Sequence, residues 1–231
     1  KRKTNQNPLP NTFLVDTKHK FSTTRTFENV YFEEQPVVKN RVAHFLNNRS
    51  WYERKGIPYT LGFLFHGAPG TGKTSEIKAI ANVARRHPVY IQLSEIKTKT
   101  RLRHLFFSDD IHVYNGTTLE KYTIPISERI YIIEDADAMG DVLLKREWKR
   151  PEPVQAPKDP FLPEDDDVIK DPIDLSFILN LLDGTLESSG RILVFTSNFP
   201  ERFDKALIRP GRIDLIIHFK KCSRGILKEM V

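Results

Sequence analysis

The sequence predicts an α/β protein, a three-layer sandwich with helices on both faces of a five-stranded parallel sheet. Two observations carry this. Five short apolar segments alternate with stretches of helical periodicity, as strands joined by crossover helices require. The residues able to do chemistry fall where those segments end, and ligands of such sheets sit at the carboxyl ends of the strands.

Taken in order, residues 1–26 are polar from Lys1-Arg2-Lys3 onward and read as an extended basic arm, with a strand near Thr12-Phe13-Leu14-Val15. Phe27 to Phe32 is a short segment of alternating apolar residues. Pro36 opens a helix in a first-turn position that suits its missing N–H, and Val38, Val42 and Phe45 mark the buried face. A second helical turn carries Trp51 and Tyr52 and stops at Gly56, a left-handed cap. Gly62-Phe63-Leu64-Phe65-His66 is the first strand of the sheet. After a glycine-rich loop, Thr74 to Ala84 places Ile77, Ile80, Ala81 and Ala84 on one helical face, and His87-Pro88 ends that helix. Val89–Leu93 is the next strand, and Leu102, Leu105 and Phe106 suggest a helix after it. Residues 109–126 read as a hairpin turning at Asn115-Gly116. Arg129–Ile133 is the third strand. Residues 145–172, with six prolines and the run Glu164-Asp165-Asp166-Asp167, read as an irregular insertion. Helical periodicity returns over Ile173–Leu182, capped by Gly184. Arg191–Asn198 is the fourth strand, a short helix capped by Asp204 follows, and Ile213–Phe219 is the fifth.

The bulk properties limit the function classes. A chain of 231 residues, 39% hydrophobic and 29% charged, suffices for one large globular domain. Its apolar runs are too short to span a bilayer as a helix. The single cysteine, Cys222, excludes an internal disulfide and suits a reducing intracellular compartment. With no initiator Met, the chain is expected to begin inside a larger protein. The net charge of +6 is uneven: residues 1–60 carry 11 Lys and Arg against 5 Asp and Glu, and residues 61–231 carry 25 of each. A basic leading segment is either a solvated face or a surface for nucleic acid or acidic lipid.

Gly67-Ala68-Pro69-Gly70-Thr71-Gly72-Lys73-Thr74 fits G-x-x-x-x-G-K-[ST], the phosphate-binding loop, and lies between a strand and a helix as that chemistry needs. Glycines let successive N–H groups turn inward onto phosphate oxygens, and the helix N-terminus adds partial positive charge. Residues 67–74 with Ser75 are the candidate ATP-binding residues. Lys73 reaches the β- and γ-phosphates, and the Thr74 hydroxyl holds Mg²⁺. Glu134 and Asp135 close an apolar strand as a Walker B pair: Glu134 is assigned to Mg²⁺ through water, Asp135 to the attacking water. Asp137 is a third candidate. Asn198, ending the fourth strand, is placed to hold that water and touch the γ-phosphate. Arg209-Pro210-Gly211-Arg212 carries two arginines that could reach a neighbouring subunit's nucleotide and stabilise transition-state charge.

GAPGTGKT, IIEDADA, FTSN and KALIRPGRID, in that order, resemble the ATPase module of the AAA type. WYERKGIPYTLGFLFHGAPGTGKTS and LLDGTLESSGRILVFTSN are similar to the clade of the mitochondrial Rieske-protein translocase, an inner-membrane chaperone of respiratory complex III, which shares the Glu-Asp order. The resemblance covers about residues 27–220 and implies a homo-oligomeric ring of six or seven subunits with ATP and Mg²⁺ at each interface. It assigns Lys73, Thr74, Glu134, Asp135 and Asn198 to one subunit, Arg209 and Arg212 to the neighbour's nucleotide, and the backbone near Val30 and Phe32 to the adenine. It divides the chain into the arm, 1–26, and the large ATPase subdomain, 27–231, with the helical lid largely missing beyond Val231. A true member of the clade would sit at the mitochondrial inner membrane, and otherwise in cytoplasm or nucleus.

Two uses of the ATP are expected. One is remodelling or translocation of a protein client. The other is a nucleic-acid motor of a replication system, for which Lys97, Lys99, Arg101 and Arg103 would grip phosphates from a central pore loop. The same stretch also reads as a solvated helix face. A nucleotide-switched scaffold with little turnover is a third reading.

Overall fold

The computed structural model describes residues 15–96, 98–114, 118–137, 141–144 and 173–230. The expectations for residues 1–14, Lys97, the Asn115-Gly116 turn and the 145–172 insertion lie outside them. Strand β1 (Val15–Asp16) is followed by helices α1 (Gln35–Asn47) and α2 (Arg49–Lys55), then β2 (Thr60–His66), α3 (Lys73–Val83) and β3 (His87–Tyr90). Helix α4 (Lys99–Phe107) leads into the hairpin β4 (Asp110–Tyr114) and β5 (Leu119–Thr123). The chain continues through β6 (Arg129–Ile133), α5 (Leu175–Asp183), β7 (Arg191–Ser197), β8 (Leu215–His218) and α6 (Arg224–Glu229).

The predicted five-stranded parallel sheet is present, in the order β3-β6-β7-β2-β8. Strand β2 is therefore interior, its residues from Thr60 to Phe65 buried on both faces, which accounts for its uninterrupted apolar run. Phe63 and Phe65 pack with Val38, Val42, Phe45, Ile77 and Ile80 of α1 and α3. Leu64 faces the other layer, where Leu102, Phe106, Ile178 and Leu181 of α4 and α5 meet β6 and β7. Each such side chain, fully buried, contributes about 1.5–3 kcal/mol.

Several boundaries move. Helix α3 ends at Val83, and His87-Pro88 belongs to β3 instead of stopping the helix. Among the described residues β3 pairs only with β6, and an edge strand tolerates a proline that cannot donate to a ladder. Phe27, Val30 and Phe32 are buried within a turn region, so their alternation marks anchoring and not a strand. Gly56 caps α2 in the left-handed conformation, φ 62°, as predicted. Gly184 caps α5 in extended backbone. Its lack of a side chain serves close approach: a Cβ would lie 2.2 Å from the Asn180 carbonyl oxygen.

The predicted hairpin forms a separate three-stranded sheet, with β1 parallel to β4. Its base is fastened by the fully buried Arg129, whose guanidinium donates to the carbonyl oxygens of Leu105 (3.0 Å), Asp109 (2.8 Å) and Ile124.

Candidate active site

The loop between β2 and α3 is held in shape by its glycines. Gly67 has φ 139°, and a Cβ there would stand 2.2 Å from the Phe219 carbonyl oxygen just beyond β8. Gly70 and Gly72 also have positive φ. Thr71 donates its hydroxyl to Ala68 O (2.8 Å). The Lys73 ammonium reaches Gly67 O (2.6 Å), Ala68 O (3.1 Å) and Asn198 Oδ1 (3.3 Å). Desolvation lowers the Lys73 pKa, while the carboxylates of Asp135 and Asp137 oppose that shift.

The sheet order brings the other candidates to this loop. The Thr74 hydroxyl donates to Glu134 Oε1 at 3.0 Å. Two hard oxygen donors so close suit Mg²⁺. Among the described residues no cluster of three or more His, Cys, Asp and Glu could hold a metal, so a cation here would rest on Thr74, Glu134 and phosphate oxygens. Asp135 is exposed and left-handed, φ 44°. That conformation costs a non-glycine residue roughly 1 kcal/mol or more. The turn is stitched to β7 by two bonds, Asp135 N–H to Thr196 Oγ1 (2.9 Å) and Ala136 N–H to Thr196 O (2.9 Å), and to the residue after it by a third, Asn198 N–H to Asp137 Oδ1 (3.2 Å). A cleft of about 380 Å³ lies between the glycine loop and these strand ends, lined by Pro69, Gly70, Gly72, Lys73, Thr74, Ser75, Glu134, Asp135, Thr196 and Asn198. Thr196 is the lining residue that sequence reasoning missed. A threonine inside an apolar strand carries no signal of its own.

Arg209 and Arg212 do not behave alike. Arg209 is about half exposed and pairs with Asp183 at 2.6 Å. Arg212 is buried at 7% side-chain exposure, donates to Ala206 O (2.7 Å) and lies 3.5 Å from the same carboxylate. Of the two arginines expected to reach outward, Arg209 is open to solvent and Arg212 is enclosed within this chain. Arg191, fully buried, fastens this corner by donating to Leu182 O (2.9 Å) and Gly211 O (3.1 Å).

Lys99, Arg101 and Arg103 lie on helix α4, whose N-cap is Thr98, and not on a loop. Lys99 pairs with Asp174 (3.3 Å), and Lys99 and Arg103 both approach the Phe177 ring. Val30 and Phe32 are buried, Phe32 stacking on Phe219 at 4.4 Å between centroids.

Comparison with known proteins agrees with this geometry. The sequence profile of the ATPase family associated with various cellular activities (AAA) matches residues 63–221. The Arabidopsis thaliana protein AAA-ATPase At5g17730 is 31% identical over 209 residues, 89% of this chain and 38% of the relative. AAA-ATPase At2g18193 of the same plant is 35% identical over 204 residues, 86% of this chain and 35% of the relative. A third, AAA-ATPase ASD, mitochondrial, is 30% identical over 212 residues, 88% of this chain and 38% of the relative. The chain thus spans less than two fifths of the length of these three relatives.

Proposed function

Because this chain belongs to the AAA family of ATPases, we propose that its hydrolysis of ATP, in a ring of like subunits, drives remodelling or translocation of a protein client. The observation that carries the catalytic part is the meeting of Lys73, Thr74, Glu134, Asp135 and Asn198 around one cleft. The loop N–H groups and Lys73 hold the phosphates. Thr74, and Glu134 through water, would hold Mg²⁺, which would neutralise charge developing on the phosphate oxygens. Asn198 orients the attacking water. Its oxygen forms the new bond to the γ-phosphorus, the bond to the β–γ bridging oxygen breaks, and Asp135 takes the proton. The products are ADP and phosphate. Arg209 of a neighbouring subunit completes charge stabilisation, and Arg212 anchors Asp183 beneath it.

On this reading residues 1–26 are a basic arm and 27–231 the ATPase body, in keeping with a family match inside the latter. The nucleic-acid reading loses its pore loop, since Lys99, Arg101 and Arg103 lie on helix α4, which leaves the protein client as the working reading. The mitochondrial relative supports a mitochondrial placement. Among the described residues no helix is long and apolar enough to cross a membrane.

Two variants test the site. Lys73→Ala is expected to lose binding of a fluorescent ATP analogue. Asp135→Asn is expected to bind it normally and to hydrolyse ATP slower by about 100-fold or more. Normal turnover by Asp135→Asn would remove Asp135 as the base. Several-fold, salt-sensitive stimulation by single-stranded DNA or RNA would replace the protein client with a nucleic-acid track.

A further inference from the structure

The last β6–β7 register pair is Ile133 with Phe195. Strand β7 runs on to Ser197, where its far side still pairs with β2 through Thr196 and Ser197. Towards β6, Thr196 meets a chain that has already left the ladder. Two successive N–H groups of the turn, those of Asp135 and Ala136, meet Thr196 there, and its main-chain carbonyl accepts from Ala136 alone. Thr196 supplies both: its main-chain oxygen accepts from Ala136 and its hydroxyl oxygen from Asp135, each at 2.9 Å. Asp135 is at that point in the left-handed region, φ 44°, a conformation aspartate tolerates better than most residues but one that contacts around it can select. Thr196 is itself 3% exposed and fixed in the sheet interior.

We propose that Thr196 is a positioning residue for the hydrolytic step, its hydroxyl holding the Asp135 backbone in the left-handed turn that aims the carboxylate into the nucleotide cleft. This rests on the reading of Asp135 as the base. The hydroxyl acts as a substitute rung of the ladder, so the β-branched side chain is needed for its oxygen as well as its shape. Asp137 secures the same turn from the opposite direction by accepting the Asn198 N–H, which ties the orientations of acid and amide together.

The test is steady-state ATP hydrolysis by Thr196→Val, which keeps the shape and removes the acceptor, beside Thr196→Ser, which keeps the acceptor. Thr196→Val is expected to lower kcat about 10-fold or more with KM for ATP within about two-fold, since a base displaced by an ångström loses rate and not binding. Thr196→Ser is expected to recover most of that loss. In an Asp135→Asn background, Thr196→Val is expected to add nothing further, because its effect runs through the missing carboxylate. Parental kcat in Thr196→Val would overturn the proposal. So would equal losses in both Thr196 variants, or a full additional loss in the double variant, each of which marks a structural role. An Asp135→Asn enzyme that turns over normally would instead remove the underlying assignment of the base.

Discussion

Glu76 shows at single-residue scale how far burial overrides local charge. It lies in the first turn of α3, where the helix terminus favours a carboxylate, yet it is fully buried and neither oxygen has a hydrogen-bond partner. Burial raises its pKa from 4.5 to about 8. The folded state thus keeps a proton that the unfolded chain releases near the ordinary value, so stability falls as pH rises between those two values. Thermal unfolding at about pH 5 and pH 8, without nucleotide, should show that fall in the parent protein and a flatter profile in Glu76→Gln. Nothing in the sequence marked Glu76, because the helical pattern of Ile77, Ile80 and Ala81 reads the same with Glu76 inside or outside. The glycine loop and Glu134 were legible by contrast, since phosphate and metal chemistry demand those residue types at that spacing. Asp135 was legible as an acid, but its left-handed backbone arises from a contact 61 residues away.

Among the elements, the hairpin β4–β5 was readable in outline, and its fastening was not. Arg129 was read only as the first residue of a strand. In the fold it is a buried cation that serves three carbonyl groups at the hairpin base. Arg129→Met would fill similar volume, remove the guanidinium from all three carbonyls, and leave Leu105 O to Tyr131 Oη and Asp109 O to the Ile124 N–H. The expected cost is about 3 kcal/mol, measured by urea unfolding, with new protease sensitivity between residues 110 and 123. A loss below about 0.5 kcal/mol would mean that other donors replace the guanidinium. The boundaries of β3 were misread because Pro88 argues for a break wherever ladder position is unknown. Only its place at the edge of the sheet, with β6 as its partner, shows why the proline fits.

At the scale of the molecule, five strands and their chemical ends could be recognised one at a time, but their order could not. The arrangement β3-β6-β7-β2-β8 depends on contacts between segments far apart in the chain, and local pattern carries no record of adjacency. The same limit hid the difference between Arg209 and Arg212, which share a motif and differ in burial. If Arg209 serves the neighbouring subunit, rings containing Arg209→Ala subunits should recover activity when mixed with Asp135→Asn subunits. Each partner then supplies what the other lacks, and an equimolar random mixture should reach about a quarter of the parental rate. No recovery in mixed rings would confine the arginine to its own subunit, and full activity of Arg209→Ala alone would remove it from the chemistry.

The close approach of Gly67 to Phe219 gives this fold a mechanical property. No side chain separates the phosphate-binding loop from the chain leaving β8 for α6, so backbone meets backbone there. A displacement of the loop would press directly on that chain, with no flexible side chain between them to absorb it. Gly67→Ala would act as grit in the hinge. It would force the two segments apart by the clash of its Cβ with the Phe219 carbonyl oxygen.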